Sequence, residues 1–264
     1  MSTGRHGRVA GKVALITGAA GALGAADAKR LAAEGASVVV TDISEAAVKL
    51  AAEIGDCATF MRLDVCDEDN WRQVVSDLVS RFGKIDILVN NAGVIGFGDP
   101  ETITLDVLRT IYAVSVEGTV LGCKHVIPAM RSSGGSIINM SSAAAIAPTV
   151  AASAYVAAKG AVGSYTRAVA VHCAQQGYPI RCNSIAPSGI EGPMTMRHLA
   201  GDGQNMAAEK AREILQLGTP EDVANAVVYL ASEEAAYISG AEIVIDFTST
   251  ITRGSVPLRQ GVRA

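Results

Sequence analysis

The chain has 264 residues, 49% of them hydrophobic, 4% aromatic and 18% charged, with a formal net charge of −4 at neutral pH. That length and aliphatic content can bury one large core, and 22 scattered lysines and arginines do not make the concentrated basic face that nucleic acid requires. No apolar run approaches the roughly 20 residues that span a bilayer, and residues 1–8 hold no apolar stretch of signal-peptide length. A single domain over 1–264, cytoplasmic and without nucleic-acid or membrane partners, is the expectation.

Taken in chain order, Val13-Ala14-Leu15-Ile16 reads as a short buried strand. Thr17-Gly18-Ala19-Ala20-Gly21-Ala22-Leu23-Gly24 follows as a turn of small residues opening a helix that ends near Gly35. Strand, glycine-rich turn and helix make a cradle for nucleotide phosphates, because backbone N–H groups at the helix start face the anion and small residues let the backbone approach. Gly18, Gly21, Leu23 and Gly24 are its candidate contacts. The next strand, Ser37 to Thr41, is closed by Asp42, at the distance where a carboxylate accepts from the adenosine ribose 2′-hydroxyl. Asp42 would repel a 2′-phosphate and no Lys or Arg stands beside it, so NAD is expected over NADP. Asp42 also stands where it can cap a helix starting around Ser44.

Further strands are predicted near Ala58, Ile85, Ser136, Ile180 and Glu242, alternating with helical patterns. Alternation of this kind gives an α/β fold, a doubly wound (Rossmann) parallel sheet of about seven strands with helices on both faces. The stretch from Val107 to Met130 has a long apolar helical period and reads as core and subunit contact. A second long helix, from about Ser153 to Gln176, carries Tyr155 and Lys159 near its start. One turn apart, the two project from one face. At about 5 Å and an effective dielectric of about 20, the ammonium is worth roughly 3 kcal/mol to a phenolate, which predicts a phenol acidified toward the range of a general acid/base.

These blocks together resemble the short-chain dehydrogenase/reductase family from about Gly11 to Asp246. The resemblance implies that Asp64 and Val65 contact adenine, that Asn91, Ala92 and Gly93 form the strand end under the cofactor, and that Ser142, Tyr155 and Lys159 are catalytic. It implies that the loop Pro187-Ser188-Gly189-Ile190, with Pro187 and Ile190 as contacts, holds the nicotinamide. It also implies a homo-oligomer, dimer or tetramer. In that family Tyr155 exchanges a proton with the substrate oxygen, Lys159 also bonds the nicotinamide ribose, and Ser142 stabilises charge developing on the substrate oxygen.

Four departures stand against the family pattern. Ala22 occupies the place of a glycine in the cofactor turn. Ser115 replaces the central-helix asparagine that holds a relay water, so Ser115 is the candidate for that role. Ser188 and Gly192 replace a glycine and a threonine of the nicotinamide loop, and Asp246-Phe247-Thr248 replaces Asp-Gly-Gly. Five cysteines without a Cys-x-x-Cys pair are expected to be reduced and mostly buried, and neither they nor the four histidines show metal-ligand spacing. His125 and His172 read as packing or surface residues, and His198 as a residue able to line a pocket.

From Ile190 to Gln216 the chain holds Met194, Met196, His198, Leu199 and Met206 around Gly201-Asp202-Gly203, a predicted substrate lid with adaptable apolar contacts. With Ala143-Ala144-Ala145 beside Ser142, it favours a bulky apolar secondary alcohol or ketone, alicyclic or steroid-like, as the small-molecule substrate. The tail from 250 to 264 is expected to fray. The alternatives are an epimerase or lyase with retained NAD, or a non-catalytic nucleotide-binding regulator.

Overall fold

The computed structural model describes residues 7–196 and 217–252. Its strands are β1 (Val13–Thr17), β2 (Ser37–Asp42), β3 (Ala58–Arg62), β4 (Ile87–Asn90), β5 (Gly135–Met140), β6 (Ile180–Pro187) and β7 (Glu242–Ile245). They form one all-parallel sheet in the order β3-β2-β1-β4-β5-β6-β7. Each strand expected from the sequence is present.

The helices are α1 (Ala22–Ala33), α2 (Ala46–Ile54), α3 (Glu68–Phe82), α4 (Leu105–Tyr112), α5 (Gly118–Met130), α6 (Ser153–Gln175), α7 (Pro220–Ala231) and α8 (Ser249–Thr252). Successive strand residues point to opposite faces. Ala14 and Ile16 therefore join Leu31, Val223 and Val227 of α1 and α7 in one core, while Val13 and Leu15 join Trp71, Val126 and Cys173 of α3, α5 and α6 in another. With both faces covered, β1 is apolar without alternation, as parallel sheets require. Asp67 caps α3 by accepting from the N–H groups of Asp69 and Asn70, and Gly83 ends it at φ 76°. A capping box between Thr219 and Asp222, with Pro220 at the first turn, starts α7.

One detail differs from expectation. The run from 107 to 130 is not one regular helix: residues Ala113–Glu117, with Ser115 at the centre, form a π-helical turn between α4 and α5. Such turns mark functional segments, and apolar periodicity cannot reveal one. The five thiols are free and most are buried, as expected: Cys123, Cys173 and Cys182 are buried, and Cys57 and Cys66 are exposed. The predicted lid is described only as far as Met196, so His198, Leu199 and Met206 lie outside the described residues, as does the tail from 253 onward.

Candidate active site

The strand order reverses between β1 and β4, and ligands of open α/β sheets bind in the crevice that opens there. A cleft of about 1130 Å³ lies along this edge, walled by Gly18, Gly21, Leu23, Asp42, Asn91, Ala92, Gly93, Ser142, Tyr155, Lys159, Pro187 and Ile190. Most of the predicted contacts are therefore brought together. Asp64 and Val65 are not among the cleft walls. The Asp64 carboxylate accepts from the N–H of Cys66 at 2.9 Å, and Val65 packs beneath Gly118.

The turn after β1 is fixed by close approach. Gly18 has φ 64°, and a Cβ there would lie 2.8 Å from the Cα of Ala92; a Cβ on Gly24 would lie 2.5 Å from the Gly18 carbonyl oxygen. Asn91 Nδ2 donates to the carbonyls of Thr17 and Gly18, both at 3.1 Å, while Thr17 Oγ1 accepts from the N–H groups of Asn91 and Ala92. Asn91 thus holds the turn from below, a bracing role that spacing does not show. Gly21 precedes α1 and no side chain caps that helix, which leaves the N–H groups of its first turn for an anion. Ala22 is the first residue of α1, where φ is helical and its methyl is tolerated.

Asp42 reaches the same turn. Its Oδ2 accepts from the N–H of Ala20 at 3.0 Å and its Oδ1 from that of Ser44 at 2.9 Å. It is not a helix cap, because α2 starts later, at Ala46. An uncapped helix start, a turn without room for side chains and a carboxylate at the end of β2 together fit the phosphates and ribose of a dinucleotide.

At the end of β5, Ser142 Oγ accepts from the N–H of Ala144 at 3.2 Å and hydrogen-bonds the phenol of Tyr155. Ser141 Oγ donates to the carbonyl of Lys159 at 3.1 Å, which pins α6 to the strand end. Lys159 Nζ donates to the carbonyl of Met140 at 2.6 Å and lies 5.7 Å from the centroid of the Tyr155 ring. The expected acidification of Tyr155 by Lys159 does not hold in this state. Burial pushes the phenol up, and the opposing influence is the hydrogen bond with Ser142. The same burial brings Lys159 down from 10.5 to about 8. Desolvation disfavours both charged forms, and the ammonium is committed to a carbonyl.

Gly93 leaves space where two polar groups converge: a Cβ there would lie 3.3 Å from Lys159 Nζ and 3.6 Å from Ser115 Oγ. Ser115 is buried and its hydroxyl has no hydrogen-bond partner. A buried hydroxyl without a partner beside an amine is a place for an ordered water.

Beyond these residues one wall of the cleft is apolar, with Ala143, Ala144 and Ala147 beside Ile146, Pro148 and Met194, while Thr149, Glu191 and Thr195 add polar groups. Ser249 and Thr250 of α8 also line it, although Thr250 was expected to begin a fraying tail. The Asp-x-Thr-Ser-Thr run from Asp246 was the available signal, because aspartate often closes a turn onto its own backbone two residues on. Among the described residues no cluster of His, Cys, Asp and Glu is arranged to hold a metal ion, and no helix is long and apolar enough to cross a membrane.

The parallel sheet, crevice and Ser-Tyr-Lys cluster define a dinucleotide-dependent oxidoreductase of the Rossmann type. The chain belongs to the short-chain dehydrogenase/reductase family, whose dehydrogenases use a nicotinamide cofactor. A family model described as enoyl-(acyl carrier protein) reductase matches residues 18–247. The chain is 41% identical to the 3-beta-hydroxysteroid dehydrogenase of Comamonas testosteroni over 243 residues, covering 90% of this chain and 96% of the relative. It is 39% identical to the trans-4-hydroxycyclohexanecarboxylate dehydrogenase of Sinomonas cyclohexanicum over 249 residues, 90% and 93% of the two chains. The 3-alpha-(or 20-beta)-hydroxysteroid dehydrogenase of Mycobacterium tuberculosis is 40% identical over 242 residues, 91% and 90%.

Proposed function

We propose that this protein is an NAD-dependent dehydrogenase that interconverts a secondary alcohol and a ketone on a bulky apolar, alicyclic or steroid-like substrate. The observation that carries the reading is the placement of Ser142, Tyr155 and Lys159 in the cleft that also holds the uncapped start of α1 and Asp42. The substrate class is supported by the wall of alanines, Ile146, Pro148 and Met194, and by relatives named for hydroxysteroid and hydroxycyclohexane substrates. NAD over NADP rests on the Asp42 carboxylate, which would face a 2′-phosphate with like charge.

Nicotinamide, when bound, supplies or accepts the hydride. The residues do the rest. Tyr155 passes a proton to the substrate oxygen in ketone reduction and takes it back in alcohol oxidation. Because burial keeps the phenol protonated, the free protein stands ready to donate, and rising pH favours the reverse direction. Ser142 donates to the same oxygen as charge develops on it. Lys159, charged at pH 7 with a value of about 8, orients the ribose and returns protons to Tyr155. Ser115 holds a water that links Lys159 to solvent. Cytoplasmic location and a dimer or tetramer are part of the same reading. Supporting the latter, Tyr237, Val244 and Phe247 are exposed at or next to β7, the strand that ends the sheet.

The test is absorbance at 340 nm with NAD and NADP against cyclohexanols, hydroxysteroids and their ketones, for wild type and Tyr155→Phe. Turnover with NAD, lost by at least about a hundredfold in Tyr155→Phe with NADH binding kept, is expected. Comparable turnover by the variant would remove Tyr155 from its role.

A further inference from the structure

Past the end of β7 the backbone takes an uncommon course. Phe247 and Thr248 have φ of 44° and 72°, left-handed values that L side chains rarely adopt and that are most costly for a β-branched residue. Asp246 holds the turn in place. Its Oδ1 accepts from the N–H of Thr248 at 3.0 Å, and its Oδ2 accepts from the N–H of Thr250 at 2.8 Å and from Thr250 Oγ1 at 2.6 Å. Burial alone would raise the Asp246 carboxyl, but these bonds and one from Ser249 outweigh it and hold the group below its ordinary value.

The turn delivers Ser249 to Ser188. Their Oγ atoms are 2.8 Å apart, and the N–H of Ser188 donates to the carbonyl of Ile245 at 2.9 Å. In the sheet Met140, the last residue of β5, pairs with Ile185, so Ser142, two residues past β5, stands level with Pro187, the last residue of β6. Ser188 therefore sits beside the proposed reaction centre, and Ser188, Ser249 and Thr250 line the cleft with Tyr155. Two of the places where the chain leaves the family pattern, Ser188 and the turn after Ile245, are one structure. A glycine at 188 offers no side chain to bond, and a turn of glycines would need nothing to hold it in the left-handed region.

We infer that Ser249 is a positioning residue: through its bond to Ser188 it fixes the loop Pro187–Ile190 at the nicotinamide end of the cleft, and the strained turn at Phe247 and Thr248 is what brings it there. The inference rests on the placement of the nicotinamide in the proposed function. It explains why a strained turn persists, since such conformations survive only where the surroundings over-determine them.

The experiment is fluorescence titration of wild type, Ser188→Ala, Ser249→Ala and the double variant with NADH, and competition with ADP-ribose, which lacks the nicotinamide. Each single variant is expected to weaken NADH binding by roughly 3- to 10-fold, the range of one hydrogen bond, with the double variant no weaker than either single one. ADP-ribose affinity should stay within about twofold of wild type, and Ser249→Thr, which keeps the hydroxyl, should retain most of the NADH affinity. Should Ser249→Ala fail to fold, Ser188→Gly removes the same bond and must show the same selective loss. Equal losses for NADH and ADP-ribose, multiplying effects in the double variant, or no loss at all would each overturn the inference. Because no substrate enters the titration, a failure of every alcohol to turn over would count against the proposed reaction alone.

Discussion

Replacing Lys159 by methionine separates the electrostatic cost of the site from its chemistry. Lys159 is 3% exposed, and burial lowers its ammonium from 10.5 to about 8. At about 1.36 kcal/mol for each tenfold change, that difference is worth about 3 kcal/mol. The sign follows from proton counts. Below pH 8 the lysine is charged in both folded and unfolded chains, and the folded state carries the full desolvation penalty. Between pH 8 and 10.5 the folded state has released the proton and the unfolded state still holds it, so stability rises with pH. Lys159→Met keeps most of the volume, removes the penalty, and leaves the Met140 carbonyl without its donor, a loss of about 1.5–3 kcal/mol. The two effects nearly cancel at pH 7, so the variant should be about as stable as wild type there while losing turnover. Denaturant unfolding followed by circular dichroism at pH 7, 8, 9 and 10 tests this. The stability of wild type minus that of the variant should grow by about 2–3 kcal/mol across the series. A difference that stays flat or shrinks would refute the claim that the buried amine is held down by desolvation.

Asp42→Ala should relax the preference for NAD. One like charge at about 5 Å costs about 0.8 kcal/mol even in water-like surroundings, so the NAD to NADP ratio of kcat/KM should fall at least roughly fourfold, and an unchanged ratio would detach Asp42 from cofactor choice. Asp27 on α1 is fully buried with no partner for either carboxyl oxygen, and burial pushes it well above 3.8. Its folded value lies above the unfolded one, so it penalises the folded state progressively as pH rises past about 4. Asp27→Ala should therefore be more stable at pH 7, by about 1–3 kcal/mol less the cost of the small cavity, and should flatten the pH dependence of the melting temperature. Parallel melting curves for the two proteins from pH 5 to 8 would show that Asp27 is solvated after all.

The sheet was readable from sequence because a parallel sheet covered on both faces makes each strand a short unbroken apolar run, as in Val13–Ile16, and glycine turns punctuate the runs. That Gly18, Asp42, Ser142, Tyr155 and Lys159 share one cleft was legible partly from the glycine turn and the strand-end Asp42 and, for Ser142, from the family resemblance. What failed was electrostatic. One neighbouring charge alone would acidify Tyr155, but desolvation, which depends on how α6 lies against the strand ends, outweighs it. Nor could spacing show that Lys159 spends its charge on the carbonyl of Met140, since that bond joins β5 to α6 across 19 residues. The π-helical turn around Ser115 escaped for a different reason: it leaves the apolar period of the flanking helices intact.

The departures from the family pattern make physical sense once they are seen to meet in space. Ser188 bonds Ser249 across 61 residues. Ala22 faces Gly192, where φ is 155° and an added Cβ would lie 3.1 Å from the Ala22 methyl, so a methyl in the cofactor turn and the lack of a side chain in the nicotinamide loop are complementary. Isolated decay would leave each change uncompensated, with a clash at Ala22 or an unpaired hydroxyl at Ser188. Instead, at both places one residue gains atoms where its neighbour leaves room or supplies a partner. This is the behaviour of a cleft reshaped around the proposed reaction centre. It also locates the reshaping, since both pairs touch the loop 187–192 while Ser142, Tyr155 and Lys159 are unchanged. The loop 187–192, which lines the cleft with the proposed reaction centre, is therefore where the substrate preference of this chain is to be sought.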